Sequence, residues 1–541
     1  MENLVNLCYL DITGSNKLEG IPSNVGKLAD LQTLSNFVLD EDKGYQIREL
    51  KDLSNLKGKL SISGLQNIFE PQDAWMAKLC DKSRLEKIEL RWSKDFKNER
   101  QYVDKKVLMG FNLPKTLRSL ASPSIVVQYC PKLLSLPSIG KFPLLKEGNW
   151  NLSEVDEEAR KFPKLRELLI RKYPLLSGSM PEHLPSLEKL SVSDCEKLII
   201  PIQNFPMLSE LKIERCKKVV YKGFAEDSSL KRVLFSGISK FSCAIECLML
   251  KSIKVESLEI DDCCEELCFF RENNWGWLTQ SMSIGVLSIG KCPQVEELMQ
   301  LKIPCNIEQM KIKKFGRLEK LSTTLHFFSS LTMVELYDCP KLISLERSNL
   351  PWNLKVLSIY FCENLQFLLL DEDQNVNSNN ACVLQELEIY SCESLKRINK
   401  NSLPSTLKQL KLKWCSKLES IAREVQDNSC LESIDIISCH MIKDLPQGSN
   451  QLKHLQSVNI WSCSNLICFP DNGLLLTNLK VLLLANCELL QGLPEGVHNL
   501  NSLEELVIKY CRNVTISFPE GVNILTNLRS LNIEGSKSVS R

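Results

Sequence analysis

The feature that most constrains this chain is a spacing. From Cys415 onward, cysteine returns at Cys439, Cys463, Cys487 and Cys511, 24 residues apart at every step. Each sits in the same frame, L-x-x-L-x-[IL]-x-x-C-x-x-L-x-x-[LI]. The cleanest copies are Leu331-Val334-Leu336-Cys339-Leu342-Leu345 and Leu354-Leu357-Ile359-Cys362-Leu365-Leu368. About twenty copies can be traced, some degraded, and an earlier pair, Cys195 and Cys216, stands 21 apart. Length alone would suggest roughly three or four globular domains. A repeat instead stacks one small unit on its own copies and has no upper size limit of that kind. Leucine, at 90 of 541 residues, is the currency of the repeat and never forms an apolar run of membrane length.

The spacing dictates a local structure. L-x-L puts two side chains on one face of a strand, because strand periodicity is two. The rest of each unit must turn back and cover that face. The period lies in the range of leucine-rich repeats. The expected fold is therefore α/β: a leucine-rich-repeat solenoid (horseshoe) with a parallel β-sheet on its concave face and irregular or short helical convex segments. The third, fifth and seventh positions of each copy should be exposed on the strands. The seventh carries Tyr337, Tyr360, Tyr390, Lys413, Ile437, Trp461, Ala485 and Lys509, with Trp414 and Tyr510 flanking the row. Exposed Tyr and Trp are favoured interface anchors. They also stack on one another and support a sheet. Both readings stand at this point. Glu335, Glu386, Glu388, Lys411, Lys413 and Asp435 mix on the same face without one sign dominating, which suits a protein partner better than a polyanion.

Thirteen of the 23 cysteines share one repeat position: Cys130, Cys195, Cys216, Cys263, Cys292, Cys339, Cys362, Cys392, Cys415, Cys439, Cys463, Cys487 and Cys511. A thiol there is a compact hydrophobe with a weak donor that can approach carbonyls at the strand end. The last eight form the expected structural ladder. The spacing lacks the CxxC or CxxH pairs of a metal site. The denser group Cys243, Cys247, Cys263, Cys264 and Cys268 matches no zinc pattern. His183, His326, His440, His454 and His498 are scattered. Gly20 to Leu28 imitates a phosphate loop, but its gap is one residue too long and Leu28 replaces the Ser/Thr. No nucleophile–base pair or carboxylate dyad stands out, so no enzyme, cofactor or metal is expected.

Net charge is +1, from 67 Lys+Arg against 66 Asp+Glu, with no basic stripe. Nucleic-acid binding is not expected. The start, Met1-Glu2-Asn3-Leu4-Val5, lacks the basic and apolar regions of a leader. Leu474 to Leu490, the most apolar stretch, is interrupted by Asn478, Lys480 and Asn486 and is too short to span a bilayer. The expected compartment is cytoplasmic or nucleocytoplasmic, with reduced thiols. Along the chain, 1–93 carries loosely spaced N-terminal repeats, with a helix expected over 69–84. Residues 94–160 hold irregular, shortened repeats, and 161–541 hold the cysteine-type array. Insertions fall at 269–278 and 371–381.

Several stretches resemble one family. They are Asn6-Leu7-Cys8-Tyr9-Leu10-Asp11-Ile12 through Lys27-Leu28-Ala29-Asp30-Leu31-Gln32-Thr33-Leu34, and Gly44-Tyr45-Gln46-Ile47-Arg48-Glu49-Leu50 leading to Gly58-Lys59-Leu60-Ser61-Ile62. Phe162-Pro163-Lys164-Leu165-Arg166-Glu167-Leu168 is the third. They are similar to the repeat region of plant coiled-coil-type nucleotide-binding leucine-rich-repeat disease-resistance proteins. The resemblance implies a plant innate-immune receptor repeat domain that recognises a pathogen effector or a modified host (guard) protein through its concave face. It also implies a nucleotide-binding receptor module as partner, in cis or in trans. The family's nucleotide-binding motifs are not in this sequence, and 94–160 departs from its usual run of repeats. Two alternatives accompany this reading: a truncated, non-signalling member acting as decoy or relic, and a repeat-type interaction adaptor.

Overall fold

The computed structural model describes residues 6–13, 20–40, 44–92, 124–128, 166–172, 178–179, 184–203, 205–223, 229–243, 255–263, 284–291, 306–321, 328–347, 350–369, 383–399, 401–425, 429–447, 452–469, 478–493, 501–517, 526–535 and 538–540, with a few isolated positions besides. The chain divides into two compact units, Met1–Ser283 and Ile284–Arg541.

Both units are built from parallel strands paired in sequence order. In the second unit the run is Val286–Gly290, Gln309–Lys313, Met333–Tyr337, Val356–Tyr360, Glu386–Tyr390, Gln409–Lys413, Ser433–Ile437, Ser457–Trp461, Val481–Ala485, Glu505–Lys509 and Ser530–Glu534. Every step is in register, so a repeat position forms a straight row across the sheet. The expected alternation holds from Gln309–Lys313 to Glu505–Lys509, where the second and fourth strand residues are buried and the other three are not, except that Ser358, third in its strand, is buried as well. Within one repeat Leu331, Val334, Leu336, Cys339, Leu342 and Leu345 are all buried completely. Those are the recurring letters of the frame, and the register sets Val334 and Leu336 beside Met310 and Ile312 on one side and Leu357 and Ile359 on the other. The solenoid is thus a leucine-rich-repeat stack.

In the cysteine repeats each strand is followed by a residue of positive φ, immediately before the cysteine. Asp338, Phe361, Ser391, Trp414, Ser438, Ser462, Asn486 and Tyr510 have φ between 51° and 56°. This single left-handed residue turns the chain off the strand and into the core. Asn, Asp and Ser accept the conformation; bulky residues do so less readily. The residue's amide stays paired, as in Asp338 N–H to Tyr360 O at 2.8 Å and Trp414 N–H to Ile437 O at 2.8 Å.

Asparagines tie the loops of neighbouring repeats. Asn353 Nδ2 donates to Ser329 O at 2.6 Å, Asn364 to Pro340 O at 2.7 Å and Asn513 to Glu488 O at 2.8 Å. These are carbonyls that the turns would leave open to solvent.

On the far side of the repeat, the structure is flatter than helices would make it. In the first unit Leu198–Gln203, Lys218–Gly223 and Lys240–Cys243 form a second parallel sheet, joined by Gly178–Ser179. The β-branched runs Ile199-Ile200 and Val219-Val220 favour that choice. Ser344–Glu346 pairs with Phe367–Leu369 in the same way in the second unit.

The helix expected over 69–84 is shorter: Pro71–Met76, then a 3-10 turn at Leu79–Asp81. Pro71 opens it at a position where its missing N–H costs nothing. Lys78, at φ 47°, breaks it. Lys82 follows, its side chain buried and its Nζ donating to Leu53 O at 2.7 Å. Within 94–160, the strand Ser124–Gln128 pairs in register with Lys87–Arg91 on one side and Glu167–Arg171 on the other. The sheet of the first unit therefore continues through the segment whose sequence pattern fades. The rest of that segment lies almost wholly outside the described residues, as do both insertions, Cys130, Cys247, Cys264, Cys268, Cys292, His183, His326 and His498.

Candidate recognition face

The residues proposed from sequence for binding all lie in the second unit, at the strand ends and on the turn that follows. The seventh-position row runs Lys313, Tyr337, Tyr360, Tyr390, Lys413, Ile437, Trp461, Ala485, Lys509, Glu534 across consecutive strands. The structure brings some of these together and leaves others apart.

Tyr337, Tyr360 and Tyr390 form a ladder, with ring centroids 6.4 Å and 6.3 Å apart. Sequence reasoning missed a fourth member. Phe361, on the left-handed turn, bridges the outer two tyrosines at 5.2 Å and 5.1 Å. Trp414, on the turn two repeats further along, closes against Tyr390 at 4.5 Å. All pairs are tilted, with interplanar angles from 39° to 59°, the arrangement favoured by ring quadrupoles. The signal for Phe361 was available: it holds the place in its repeat that Trp414 holds in its own, immediately before the cysteine. The result is a five-ring cluster with two of its rings, Phe361 and Trp414, well exposed.

The polar frame of the cluster is specific. The Tyr360 hydroxyl donates to Glu388 Oε2 at 3.1 Å. Burial, with the neighbouring Glu388 charge adding to it, pushes the Tyr360 phenol above its ordinary value. Lys311 pairs with Glu335 at 2.8 Å, and Lys413 with Asp435 at 3.0 Å. Asn459 donates to the other Asp435 oxygen at 2.8 Å. Lys413 is thereby directed along the sheet toward Asp435. Trp461 stands apart from the cluster, half exposed on its own strand. Lys509 and Tyr510 form a separate group at the last strand, both reaching Glu534, the lysine at 3.7 Å and the tyrosine through its hydroxyl.

Behind this face runs the cysteine ladder. Cys339, Cys362, Cys392, Cys415, Cys439, Cys463, Cys487 and Cys511 are free thiols and buried. Each Sγ donates to the carbonyl two residues earlier, from Cys487 to Ala485 O at 3.4 Å to Cys392 to Tyr390 O at 3.7 Å. Several also reach a carbonyl of the preceding repeat, as Cys439 does to Leu412 O at 3.7 Å and Cys463 to Ile436 O at 3.8 Å. A serine could make stronger bonds there, but a thiol fills the apolar space at less desolvation cost. Burial pushes the Cys463 and Cys216 thiols up to about 11. Such thiols are poor nucleophiles at neutral pH. Among the described residues no group of three or more His, Cys, Asp or Glu is placed to hold a metal ion.

The phosphate-loop look-alike at Gly20 to Leu28 is also explained. The amides of Asn24 and Gly26 do converge on an anion, but it is the Glu49 carboxylate of the next repeat, at 3.1 Å and 3.0 Å. Val25 and Leu28 are core residues.

Residues 47–173 match the family described as R13L1/DRL21 leucine-rich repeats. That span includes the part of the first unit where the frame is hardest to see. RGA4, a Solanum bulbocastanum protein named for disease resistance, is 29% identical over 232 residues, covering 36% of this chain and 23% of its own length. Disease resistance protein RGA2 of the same species is 28% identical over 241 residues, 37% of this chain and 24% of that protein. The match thus spans about a quarter of these relatives. A solved leucine-rich-repeat protein of Leptospira interrogans aligns over 95% of this chain and 92% of its own, at 14% identity and a TM-score of 0.30, too low to carry any argument. No helix among the described residues is long and apolar enough to cross a membrane. The repeat frame and the in-register parallel stack make the chain a leucine-rich-repeat solenoid, and the family match and the named relatives make it similar to the repeat regions of plant disease-resistance proteins.

Proposed function

We propose that this chain is the recognition scaffold of a plant innate-immune receptor. It binds a protein, either a pathogen effector or a host protein that an effector modifies, through the strand-end face of its second unit. It acts by binding rather than by catalysis, in the cytoplasm or nucleocytoplasm, and works with a nucleotide-binding module in cis or in trans. The observation that carries this reading is the five-ring cluster. Large, rigid, partly exposed aromatic side chains gathered at one end of a sheet are the composition of interface centres. The mixed charges around them suit a folded protein surface and offer no run of cations for a nucleic-acid backbone.

The test is made with the full chain, fused to a proximity-labelling enzyme and expressed in leaves during infection. Wild type is compared with Tyr337→Ser/Tyr360→Ser/Tyr390→Ser. The expected result is loss of specific labelled partners in the triple variant, with thermal unfolding of the purified variant still cooperative. An unchanged set of partners from a folded variant overturns the reading.

A further inference from the structure

We infer that the five-ring cluster is a docking site for cationic side chains, presented by an extended arginine- or lysine-bearing segment of a protein partner. The inference rests on the reading that this face recognises a protein, and it names the chemistry of what docks.

The first observation is where the rings stand. The turn after each strand needs a residue of positive φ, and most repeats supply Asp338, Ser391, Ser438, Ser462 or Asn486. Two repeats of the cluster instead supply Phe361 and Trp414, at φ 56° and 53°. Bulky residues are disfavoured in that conformation. Burial does not compensate, because Phe361 remains 38% and Trp414 44% exposed. The sheet has no need of rings at these positions, since most of its other repeats turn without them, Tyr510 at the separate group near Glu534 being an exception. Strain retained to keep aromatic faces at the surface points to something that uses those faces.

The second observation is charge. Asp338 follows Tyr337 directly, Glu363 lies two residues after Phe361, Glu393 three after Tyr390, and Glu388 accepts the Tyr360 hydroxyl. Among the described residues no cation is paired with Asp338, Glu363, Glu388 or Glu393, and none lies over the five rings. Nearby carboxylates are treated differently: Glu335 is neutralised by Lys311 and Asp435 by Lys413. Carboxylates outside any ion pair therefore stand beside the rings, within a face of mixed charge where Lys411 is the in-register neighbour of Glu388. A guanidinium or ammonium on an aromatic face, with a carboxylate within reach of its N–H groups, satisfies both.

The third is spacing. Tyr337, Tyr360 and Tyr390 repeat at 6.4 Å and 6.3 Å. Alternate side chains of an extended peptide repeat at about 6.6 Å. A segment laid across the strands can set every second side chain on a successive tyrosine.

The probe is a fluorescent ten-residue peptide of alternating Arg and Ser, titrated against the full chain at low ionic strength and read by anisotropy. A matched Glu-Ser peptide is the comparison. The Arg-Ser peptide should bind and the Glu-Ser peptide should not. Affinity should fall at least tenfold in Phe361→Asn/Trp414→Asn, where asparagine suits the turn and keeps the fold. It should fall as far in Glu363→Gln/Glu388→Gln/Glu393→Gln, which leaves every ring in place. Equal or tighter binding of the Glu-Ser peptide, absence of Arg-Ser binding, or Arg-Ser binding that survives both variants overturns the inference. The leaf-labelling result decides the wider reading separately. Partners lost in the tyrosine variant without Arg-Ser binding leave the face standing and remove only the cation. Unchanged partners remove the face.

Discussion

Replacing Cys463 by alanine tests whether the thiol ladder is a structural spine. The side chain is buried, and its Sγ donates to Trp461 O at 3.6 Å and Ile436 O at 3.8 Å. Burial raises the thiol from 9.0 to about 11. The folded state therefore holds the proton more tightly than the unfolded chain. Below pH 9 both states are protonated and the difference contributes fully. Between pH 9 and 11 the unfolded chain ionises first, so stability falls as pH rises. Two pKa units amount to about 2.7 kcal/mol in full, of which about 2 kcal/mol is lost by pH 11. Cys463→Ala removes this titration and also some packing. At pH 8 the variant should be less stable by about 1 kcal/mol. By pH 11 it should be the more stable of the two, so the curves cross. The assay is urea unfolding under reducing conditions at pH 8, 9.5 and 10.5, followed by tryptophan fluorescence, for which Trp461 is a local reporter. A wild-type-to-variant difference that stays constant across those pH values refutes the reasoning.

Three further outcomes follow from positions already described. Leu482, fully buried in its repeat, should cost about 2–5 kcal/mol when cut to alanine, measured by denaturant unfolding; Leu482→Asp should open the stack locally, seen as lost amide protection on the adjoining strands. Lys82 is held near pKa 8 by burial, against the opposing pull of Asp81 and Asp52. Its folded state sheds a proton first as pH rises, so wild-type stability should gain on Lys82→Met between pH 8 and 10.5, and a wild-type-minus-variant stability that stays constant or falls over that window contradicts the assignment. Glu49→Ala should free the amides of Asn24 and Gly26, raising their hydrogen exchange while leaving the cysteine repeats unchanged.

How much of this was legible beforehand depended on which forces wrote the pattern. Burial imposes itself at every copy, so Leu331, Val334, Leu336 and Cys339 announced the strand, its inward face and the ladder. The register followed, and with it the tyrosine row. Where the frame weakened, around Ser124–Gln128, the strand is as long as those of the regular repeats but its neighbours lie far off in sequence, and no periodicity could place it. The left-handed turn was hidden because it is specified by backbone geometry at a position tolerant of Asp338, Ser391 and Trp414 alike. Phe361 could be placed by analogy with Trp414, but its contacts could not, because its neighbours in space come from adjoining repeats. The asparagine ties were missed for a similar reason: an asparagine in a loop looks like a solvated residue until the carbonyl of the preceding repeat is set against it. Lys82 gave no sign, because a buried ammonium differs from an exposed one only in what surrounds it.

The regular 24-residue step has a consequence for how such a chain changes. Every row in the sheet joins like to like, and the ties of one repeat reach only its neighbours. Removing a complete unit between two equivalent points, such as Cys439 and Cys463, lets Cys415 and Cys463 meet as successive copies do. The backbone pairing, the turn and the thiol contact are then all regenerated at the seam. Loss or gain of a few residues within a strand breaks all three. Unequal exchange between copies thus has a built-in proofreading step, since only whole units fold. The surface can be lengthened, shortened or reshuffled one row at a time, and each event brings a new set of third-, fifth- and seventh-position side chains to the same address.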